Sequence, residues 1–387
     1  MSTLKVGAIR GVSASSDAVT VANDGSCTAN ITNNLSNRNL IINGAMQVAQ
    51  RSGSSTVAVT EGTNENYQSI DRMHFSFGNA AAGACNLSQS TEAPTTLGFT
   101  KSHKTDVTTV NSTSSGNGVI GIKYGIEGQD LRSSGWNHLS ASSFLTLSFY
   151  FKTTKTGNSK LPIMFRTLHG TNYYYVKNIT VTDPTNWNRY TCKIPGNSNL
   201  QIDDLNTGGM AIFFSYYTGS DKDTSSEGSW GTTNAYSTSD STNYFDSTSN
   251  DMFITGIQLE VGEHATDFEH RSFGQEALLC KRYYQIIKGN SDLVMFGSGR
   301  ASGTTAALVA TQLAVPLRAS PTISSTSYSG WGTAGSHSVT ATPTVQSFND
   351  TDNQLNMQFT SLASLTNART AVVSCNSGSN LVMDSEL

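Results

Sequence analysis

Short segments in which apolar and polar residues alternate recur along most of this chain, and such alternation is typical of half-buried β-strands. Turn-forming Gly, Asn and Ser residues separate these segments. A long polar stretch, residues 218–251, is inserted late in the series. Over residues 37–271 we therefore predict an antiparallel jelly roll or β-sandwich with strands at 40–48, 71–77, 119–127, 144–152, 161–167, 173–181, 187–194, 210–217 and 252–261.

Two further β units flank this body. Residues 290–387 predict a second, smaller β-sandwich domain with strands at 294–296, 306–315, 321–327, 338–344, 355–360 and 370–375, followed by a frayed end. In residues 1–36, Asn23-Asp24-Gly25 between two alternating segments predicts a hairpin. Because so short a unit cannot bury a core of its own, we expect it to attach to a sister chain or a larger particle.

A single segment, residues 272–289, has the period of a helix and would link the two larger domains. Ser272 and Gln275 fit a capping box at its start. The apolar residues then recur at spacings of four and three, which is the pattern of a coiled-coil seam. They are Phe273, Ala277, Cys280, Tyr284 and Ile287. Two interpretations stay open: these residues meet their copies on the axis of a homotrimer, or they pack against their own domain.

Composition and charge narrow the class of protein. Only 13% of the 387 residues are charged, the formal net charge is −4, and no basic stripe is present, so a nucleic-acid partner is not expected. No apolar run has the length of a membrane span or of a signal-peptide core, so we expect a protein made in the cytoplasm and not inserted into a membrane. Five widely spaced cysteines indicate reduced thiols, and no cofactor is predicted.

Motifs for catalysis or metal binding are weak. The glycines between Gly116 and Gly121 match GxGxxG, but the segment leads into a strand and not into a helix, so it is not a dinucleotide site. Glu127 and Asp130 could be the carboxylate pair of a glycosidase, although acids this close more often hold a turn. Residues 263–270 concentrate acids and histidines without the ligand spacing of a known metal site. We therefore predict neither catalytic nor metal-binding residues.

Aromatic residues in polar loops are the candidate ligand contacts. Flat aromatic rings stack on the apolar C–H faces of sugars, and loops are where binding residues concentrate. Four candidates lie in the polar insertion and two in a glycine-rich loop of the C-terminal domain. They are Trp230, Tyr236, Tyr244, Phe245, Tyr328 and Trp331. The alternative is that these rings pin their own loops to the sandwich.

Several segments carry a resemblance that is collinear along the chain. The two most characteristic are NRNLIINGAMQVAQR at 37–51 and FITGIQLEVGEHATDFEHRSF at 253–273, the second closed by CKRYY at 280–284. Between them lie the segments 69–75, 124–128, 145–152 and 186–190, and beyond them the segments 298–306 and 316–322. Together they resemble a family of tail-fibre and appendage proteins of tailed bacteriophages, often phages of aquatic bacteria.

The resemblance implies a carbohydrate-binding jelly-roll body, an attached C-terminal β domain and assembly as a homotrimer. It implies a structural virion protein that attaches the phage to host-surface polysaccharide without cleaving it. The N-terminal unit would then contact other tail or adaptor proteins. The family supplies no ligand residues for this chain. Three alternatives stay open: a neck, baseplate or head-decoration protein that binds only virion partners, a glycan depolymerase, and a bacterial carbohydrate-binding module. The last would usually carry a signal peptide or a catalytic domain, and the sequence predicts neither.

Overall fold

Strands make up nearly all of the regular structure, as the alternating pattern predicts. The computed structural model describes residues 6–12, 17–21, 23, 27–29, 37–60, 66–78, 83–111, 116–289, 294–325, 328–332, 335–339, 342–362, 365–375 and 378–387. The strands up to the end of the insertion are β1 Ala8–Ile9, β2 Val19–Val21, β3 Cys27–Ala29, β4 Val57–Thr60, β5 Asn66–Tyr67, β6 His74–Gly78, β7 Ala84–Ser90, β8 Ser102–Thr109, β9 Val119–Glu127, β10 Phe144–Thr153, β11 Ser159–Thr167, β12 Tyr174–Val181, β13 Asn188–Pro195, β14 Gly208–Thr218 and β15 Asp251–Val261.

The remaining elements are the strands of the C-terminal part and the helices. The strands are β16 Tyr284–Lys288, β17 Met295–Ala301, β18 Ala307–Gln312, β19 Thr322–Ser325, β20 Tyr328–Gly332, β21 Gly335–Val339, β22 Thr344–Ser347, β23 Gln354–Phe359, β24 Thr370–Cys375 and β25 Asn380–Asp384. The α-helices are α1 Gly128–Ser133 and α2 Phe273–Lys281, and short 3-10 helices span Thr95–Leu97 and Ser220–Lys222. Among the described residues, no helix has both the length and the apolar character that crossing a membrane requires.

Two six-stranded antiparallel sheets form the body of the protein. Sheet I has the strand order β13-β10-β15-β8-β7-β4, and sheet II has the order β12-β11-β14-β9-β6-β5. Ile163, Phe214, Ile122 and Phe75 lie side by side across sheet II and belong to the core between the sheets. Because side chains alternate along a strand, the residues next to them face away from the core. The predicted all-β sandwich is confirmed.

The predicted strand at 40–48 is wrong, although its apolar residues do enter the core. Ile41, Met46 and Val48 are buried, but this segment forms turns beside β15. Asn43 has a φ of 62°, and its side chain donates to the carbonyl of Val48 and accepts from the amide of the same residue. Asparagine side chains therefore satisfy backbone groups that a neighbouring strand would otherwise bind.

The C-terminal part folds around a second core. Sheet III has the order β16-β25-β19, and the seven-stranded sheet IV has the order β21-β20-β24-β17-β18-β23-β22. The prediction that the last residues are frayed is wrong, since β25 pairs with both β16 and β19 and buries Leu381 and Met383. Residues 328–332 are strand β20 and not a loop. At the other end of the chain, β2 pairs with β3 and confirms the predicted hairpin.

The helix predicted over 272–289 is too long. Its capping box is present, with the Ser272 side chain accepting from the Gln275 amide, but the helix ends at Lys281. The next residues form β16, which pairs with β25 because its aromatic and β-branched residues suit a strand. Tyr284 and Ile287 consequently lie on a strand, so no continuous helical seam exists.

The five residues predicted to form the coiled-coil seam have different surroundings: some are exposed to solvent and others are buried in the protein. The side chain of Phe273 is 64% exposed, Ala277 is half-buried and Cys280 is buried. Tyr284 is also buried, and Ile287 packs on the core of the C-terminal part. These five residues do not share one exposed face.

A buried arginine joins the C-terminal residues to the sandwich. The side chain of Arg72 is 1% exposed, forms an ion pair with Glu386 and lies 3.5 Å from the centroid of the Tyr283 ring. The same guanidinium donates to the carbonyl oxygen of Gly125 at 2.6 Å. Leu387 lies against Gly125, where a Cβ would come within 3.1 Å of the leucine Cβ. The last residues of the chain are thereby placed on the outer face of sheet II.

Candidate functional site

The outer face of sheet II carries a row of side chains from four neighbouring strands. His74, Lys123, Phe213 and Met164 are partners across β6, β9, β14 and β11. Each is the sequence neighbour of a core residue, so the alternation that fills the core also places these four on the opposite face. Arg166 lies two residues beyond Met164 on β11 and therefore points to the same side.

The polar insertion covers one edge of this outer face. Gly231 exchanges backbone hydrogen bonds of 2.7 and 2.9 Å with Tyr174 of β12. Ala235 is buried among outer-face residues of β11, β12 and β14, with Tyr236 packed against this cluster. The Ser215 hydroxyl donates to the Tyr236 carbonyl at 3.1 Å. The insertion is therefore an ordered wall standing on sheet II.

A groove runs along the outer face beside this wall, and we call it the sheet II groove. One depression, of about 240 Å³, is lined by His74, Ser76, Val119, Lys123, Met164, Arg166, Ala211, Phe213 and Tyr236. A second, of about 540 Å³, is lined by Lys123, Gly125, Leu168, His169, Asp203, Leu205, Thr207, Gly208 and Leu387. Lys123 lines both depressions, and we use the name sheet II groove for the two together.

Tyr236 is the aromatic side chain on the groove wall. Its ring meets the ring of Phe213 edge-on, with centroids 5.1 Å apart and planes at 88°. Phe213 is buried, Tyr236 is half-buried and both line the smaller depression, so the phenylalanine holds the tyrosine at the groove. A held ring of this kind loses little side-chain freedom when a ligand packs on it.

The charges of the groove are unevenly distributed. Burial lowers the pKa of His74 to about 3, and the nearby charge of Lys123 acts in the same direction, so the imidazole is neutral at neutral pH. Lys123 and Arg166 are cations on the same depression. In the second depression the carboxylate of Asp203 is 3.1 Å from His169 Nδ1 and accepts from the Thr207 hydroxyl at 2.8 Å.

Of the aromatic residues predicted as ligand contacts, Tyr236 is placed in this groove and three are not. Tyr244 and Phe245 are fully buried in the core between the sheets, where Tyr244 is 2.9 Å from the Ser159 hydroxyl. Trp230 packs against that core and donates from Nε1 to the Pro195 carbonyl at 2.7 Å. The prediction that Tyr244 and Phe245 contact a ligand is wrong, because the polar insertion folds back between the sheets and buries both side chains.

The two candidates in the C-terminal part have a different status. Tyr328 and Trp331 belong to β20, which pairs with β21 and β24. Their side chains lie outside what the structure describes, so their role as glycan contacts stays a prediction.

The carboxylate pair considered for glycosidase chemistry is held apart from the groove. Glu127 is fully buried at the end of β9 and accepts from Arg282 at 3.1 and 3.0 Å, from the Tyr283 hydroxyl at 2.5 Å and from Gln129 at 2.6 Å. Burial and the neighbouring charge of Glu127 raise the pKa of Asp130. The Glu127 carboxylate is committed to these donors and joins α2 to the sandwich.

The acid- and histidine-rich elbow at 263–270 also serves the fold. Glu269 accepts the backbone amide of Asn39 at 2.9 Å and forms an ion pair with Arg271 at 3.4 Å. His270 packs against Phe99, with ring centroids 4.9 Å apart. Within the described ranges, no group of three His, Cys, Asp or Glu side chains is placed to hold a metal ion.

A second concave surface, which we call the α2 cleft, lies beside helix α2. It has a volume of about 620 Å³ and is lined by Asn37, Glu269, His270, Arg271, Gln275, Leu278, Leu279, Arg282, Val315, Pro316 and Asp350. Leu278 is 49% exposed and Leu279 is 37% exposed. Exposed leucines next to an apolar cleft are characteristic of surfaces that contact another protein.

Sequence reasoning did not identify Lys123, Arg166, Phe213 or His74 as site residues. Each occupies a polar or apolar position of an alternating strand, and the alternation does not say which of the two faces is covered. Only the strand order of sheet II brings these four residues together. The local sequence gives only a weak indication of the site: on β9, Lys123 stands between Ile122 and Tyr124, and a glycine flanks each of these two residues.

No protein-family model matches this chain, and no curated protein matches its sequence. Among solved structures, the chain is similar to the enzymatically active domain of tailspike protein 4 from bacteriophage CBA120, with 11% identity and a TM-score of 0.29. This match covers 58% of this chain and only 22% of the tailspike domain.

Two carbohydrate-binding modules also have similar structures. The family 11 module of the cellulase Lic26A-Cel5E from Clostridium thermocellum has 13% identity and a TM-score of 0.28, covering 56% of this chain and 100% of the module. The CBM22-1 xylan-binding domain of Xyn10C from Paenibacillus barcinonensis has 11% identity and a TM-score of 0.26, with coverages of 56% and 100%. Likenesses this distant carry no argument about the ligand of this chain.

Proposed function

We propose that this chain is a non-catalytic glycan-binding protein whose ligand lies in the sheet II groove. The observation that carries the proposal is the wall residue Tyr236, whose half-exposed ring is fixed by Phe213 beside Lys123 and Arg166. Sugars need an apolar surface for their C–H faces and polar groups for their hydroxyls, and this groove offers both. Its two depressions, both lined by Lys123, suit an extended chain of several sugars better than a single compact ligand.

The non-catalytic part of the proposal is supported by Glu127. A glycosidase needs one carboxyl group as acid and a second as base or nucleophile. Four hydrogen bonds from Arg282, Tyr283 and Gln129 already use both oxygens of the Glu127 carboxylate. The depolymerase alternative is tested by prolonged incubation with each bound polysaccharide. Release of reducing ends by the wild type would establish it and contradict our proposal.

The resemblance to phage appendage proteins suggests where this glycan-binding protein acts, namely on a phage particle. We infer a tail fibre or appendage that attaches a virion to host-surface glycans, with the N-terminal unit contacting tail or adaptor proteins. Single protein–glycan contacts are weak, but several linked copies raise the effective concentration of each further contact. Saturating amounts of the purified chain should therefore slow adsorption of the phage to its host. Unchanged adsorption would contradict the attachment role and favour a structural protein that binds only virion partners.

Copies of this chain are the proposed occupant of the α2 cleft. In a trimer each copy would cover the cleft of the next with a different patch of its own surface, and the exposed Leu278 and Leu279 supply the apolar part of that contact. Light scattering of the wild type should give the mass of a trimer, three times 41.2 kDa. Leu278→Ser should lower this mass, whereas Leu139→Ser, which changes a leucine of the same 49% exposure elsewhere, should not. A monomeric wild type would contradict the homotrimer.

A further inference from the structure

We infer that the sheet II groove selects glycans whose sugars carry an anionic substituent, a carboxylate or a sulfate ester. This inference rests on the proposed function and names the class of glycan. It starts from the cations of the smaller depression, Lys123 and Arg166, whose lining includes no acidic side chain. A groove that bound only neutral sugars would gain little from two cations on its floor.

Arg166 is the residue with unused binding capacity. Its Nε is buried and has no hydrogen-bond partner among the described residues, and Arg166 forms no ion pair within those residues. An unsatisfied buried donor is costly, and an arginine presents a planar fork that matches a carboxylate or a sulfate. Its backbone is fixed by pairing with Tyr174 on one side and Ala211 on the other, so the fork is presented by a rigid strand.

His74 is a further polar residue that lines the smaller depression. Its Nδ1 is buried and lacks a hydrogen-bond partner in the described part of the chain. The imidazole is neutral at neutral pH, because burial and Lys123 hold its pKa far below the ordinary value. A neutral ring adjacent to Lys123 can exchange a hydrogen bond with a sugar hydroxyl without adding to the positive charge. The anionic substituent is therefore assigned to the Lys123 and Arg166 side of the depression.

The charge of the groove differs from that of the whole chain. The protein has a formal net charge of −4, so general electrostatic attraction would not draw a polyanion to it. Binding of an acidic glycan would have to come from local cations. Since these cations are partly screened by salt, affinity for the acidic glycan should fall as ionic strength rises.

The test is a set of binding titrations on the full chain with matched charged and neutral polysaccharides. Polygalacturonate is compared with its carboxyl-reduced form, and dextran sulfate with dextran. We expect one charged polysaccharide at least to bind tenfold more tightly than its neutral partner, with an affinity that decreases with salt. Arg166→Gln should abolish this preference, Arg166→Lys should retain part of it, and Arg300→Gln on the exposed surface of sheet IV should leave it unchanged. Melting temperatures establish that each variant is folded.

The remaining outcomes separate the two proposals. Equal affinities for the charged and neutral forms, unchanged in Arg166→Gln, would overturn the preference for anionic glycans and leave glycan binding intact. A charge preference that survives unchanged in Arg166→Gln, whether or not Arg300→Gln alters it, would place the anion site away from Arg166 and overturn the inference. Failure to bind these four polysaccharides and every member of a wider neutral panel would overturn the proposed function as well.

Discussion

Tyr236 and Phe213 pack edge-to-face, with ring centroids 5.1 Å apart, although one belongs to the polar insertion and the other to a central strand of sheet II. The contact fixes the insertion on the sheet and creates the wall of the sheet II groove. It therefore joins the polar insertion to a central strand of the sandwich.

Replacing Tyr236 by alanine should weaken glycan binding about tenfold, corresponding to ~1.4 kcal/mol, because the ring offers the apolar contact of the groove wall. Isothermal titration with the tightest-binding polysaccharide measures the effect. Trp187→Ala is the matched control, since Trp187 is a half-buried aromatic residue that packs on Phe253 of sheet I. If Tyr236→Ala lowered the melting temperature but left the affinity unchanged, the ring would serve only to hold its own loop.

Tyr244→Ala should behave differently from Tyr236→Ala, because Tyr244 lies in the core between the two sheets. Removing this ring should lower the free energy of unfolding by about 3–5 kcal/mol, the range typical of large aromatic residues in cores. The milder Tyr244→Phe removes only the hydrogen bond to Ser159 and should cost about 1 kcal/mol. Urea unfolding measures both. A Tyr244→Ala variant as stable as the wild type would contradict the placement of the insertion.

Glu127→Gln should destabilise the protein by roughly 2–4 kcal/mol, because it leaves the partly buried Arg282 without its carboxylate partner. The substitution keeps the size of the side chain, so the loss reports the charge and the hydrogen-bond pattern. Thermal unfolding provides the measurement, and glycan affinity should not change since Glu127 does not line the groove. A stable variant that had lost polysaccharide cleavage would instead reveal a catalytic acid.

His103 should make the protein less stable as the pH falls. Burial lowers its pKa to about 4, so below about pH 6.5 the unfolded chain takes up a proton that the folded chain does not. Stability is therefore complete above pH 6.5 and declines towards pH 4. Between pH 7 and 5, His103→Gln should lose about 2 kcal/mol less unfolding free energy than the wild type. Identical pH dependence in urea titrations of the two proteins would contradict this assignment.

Much of the sandwich could be predicted from the chain itself. The segments 119–127 and 252–261 agree with β9 and β15 to within a residue at each end, because long alternating runs bounded by turn residues leave little choice of structure. Strand β8 was missed because Ser102–Thr109 contains few large apolar residues and is held by its neighbours in sheet I. The turn at Asn43 could not be predicted either. There the asparagine side chain, and not a neighbouring strand, binds the backbone groups of Val48, and the apolar pattern does not show this.

The site could be predicted only in part. Tyr236 was identified as an aromatic residue in a polar loop, but the same reasoning selected Tyr244 and Phe245, which are buried. Local polarity does not show whether a loop projects outwards or folds back between two sheets. The cations Lys123 and Arg166 could not be assigned to one groove, because their proximity depends on which strands become neighbours in sheet II. Strand order is a property of the whole fold.

The crystal structure of the protein with its tightest-binding oligosaccharide tests the central claim most directly. We predict that the sugar chain lies in the sheet II groove, with one ring against Tyr236 and its polar groups within hydrogen-bond distance of Lys123 and Arg166. An oligosaccharide bound in the α2 cleft, on sheet I or on the C-terminal strand β20, with the sheet II groove unchanged, would contradict the account.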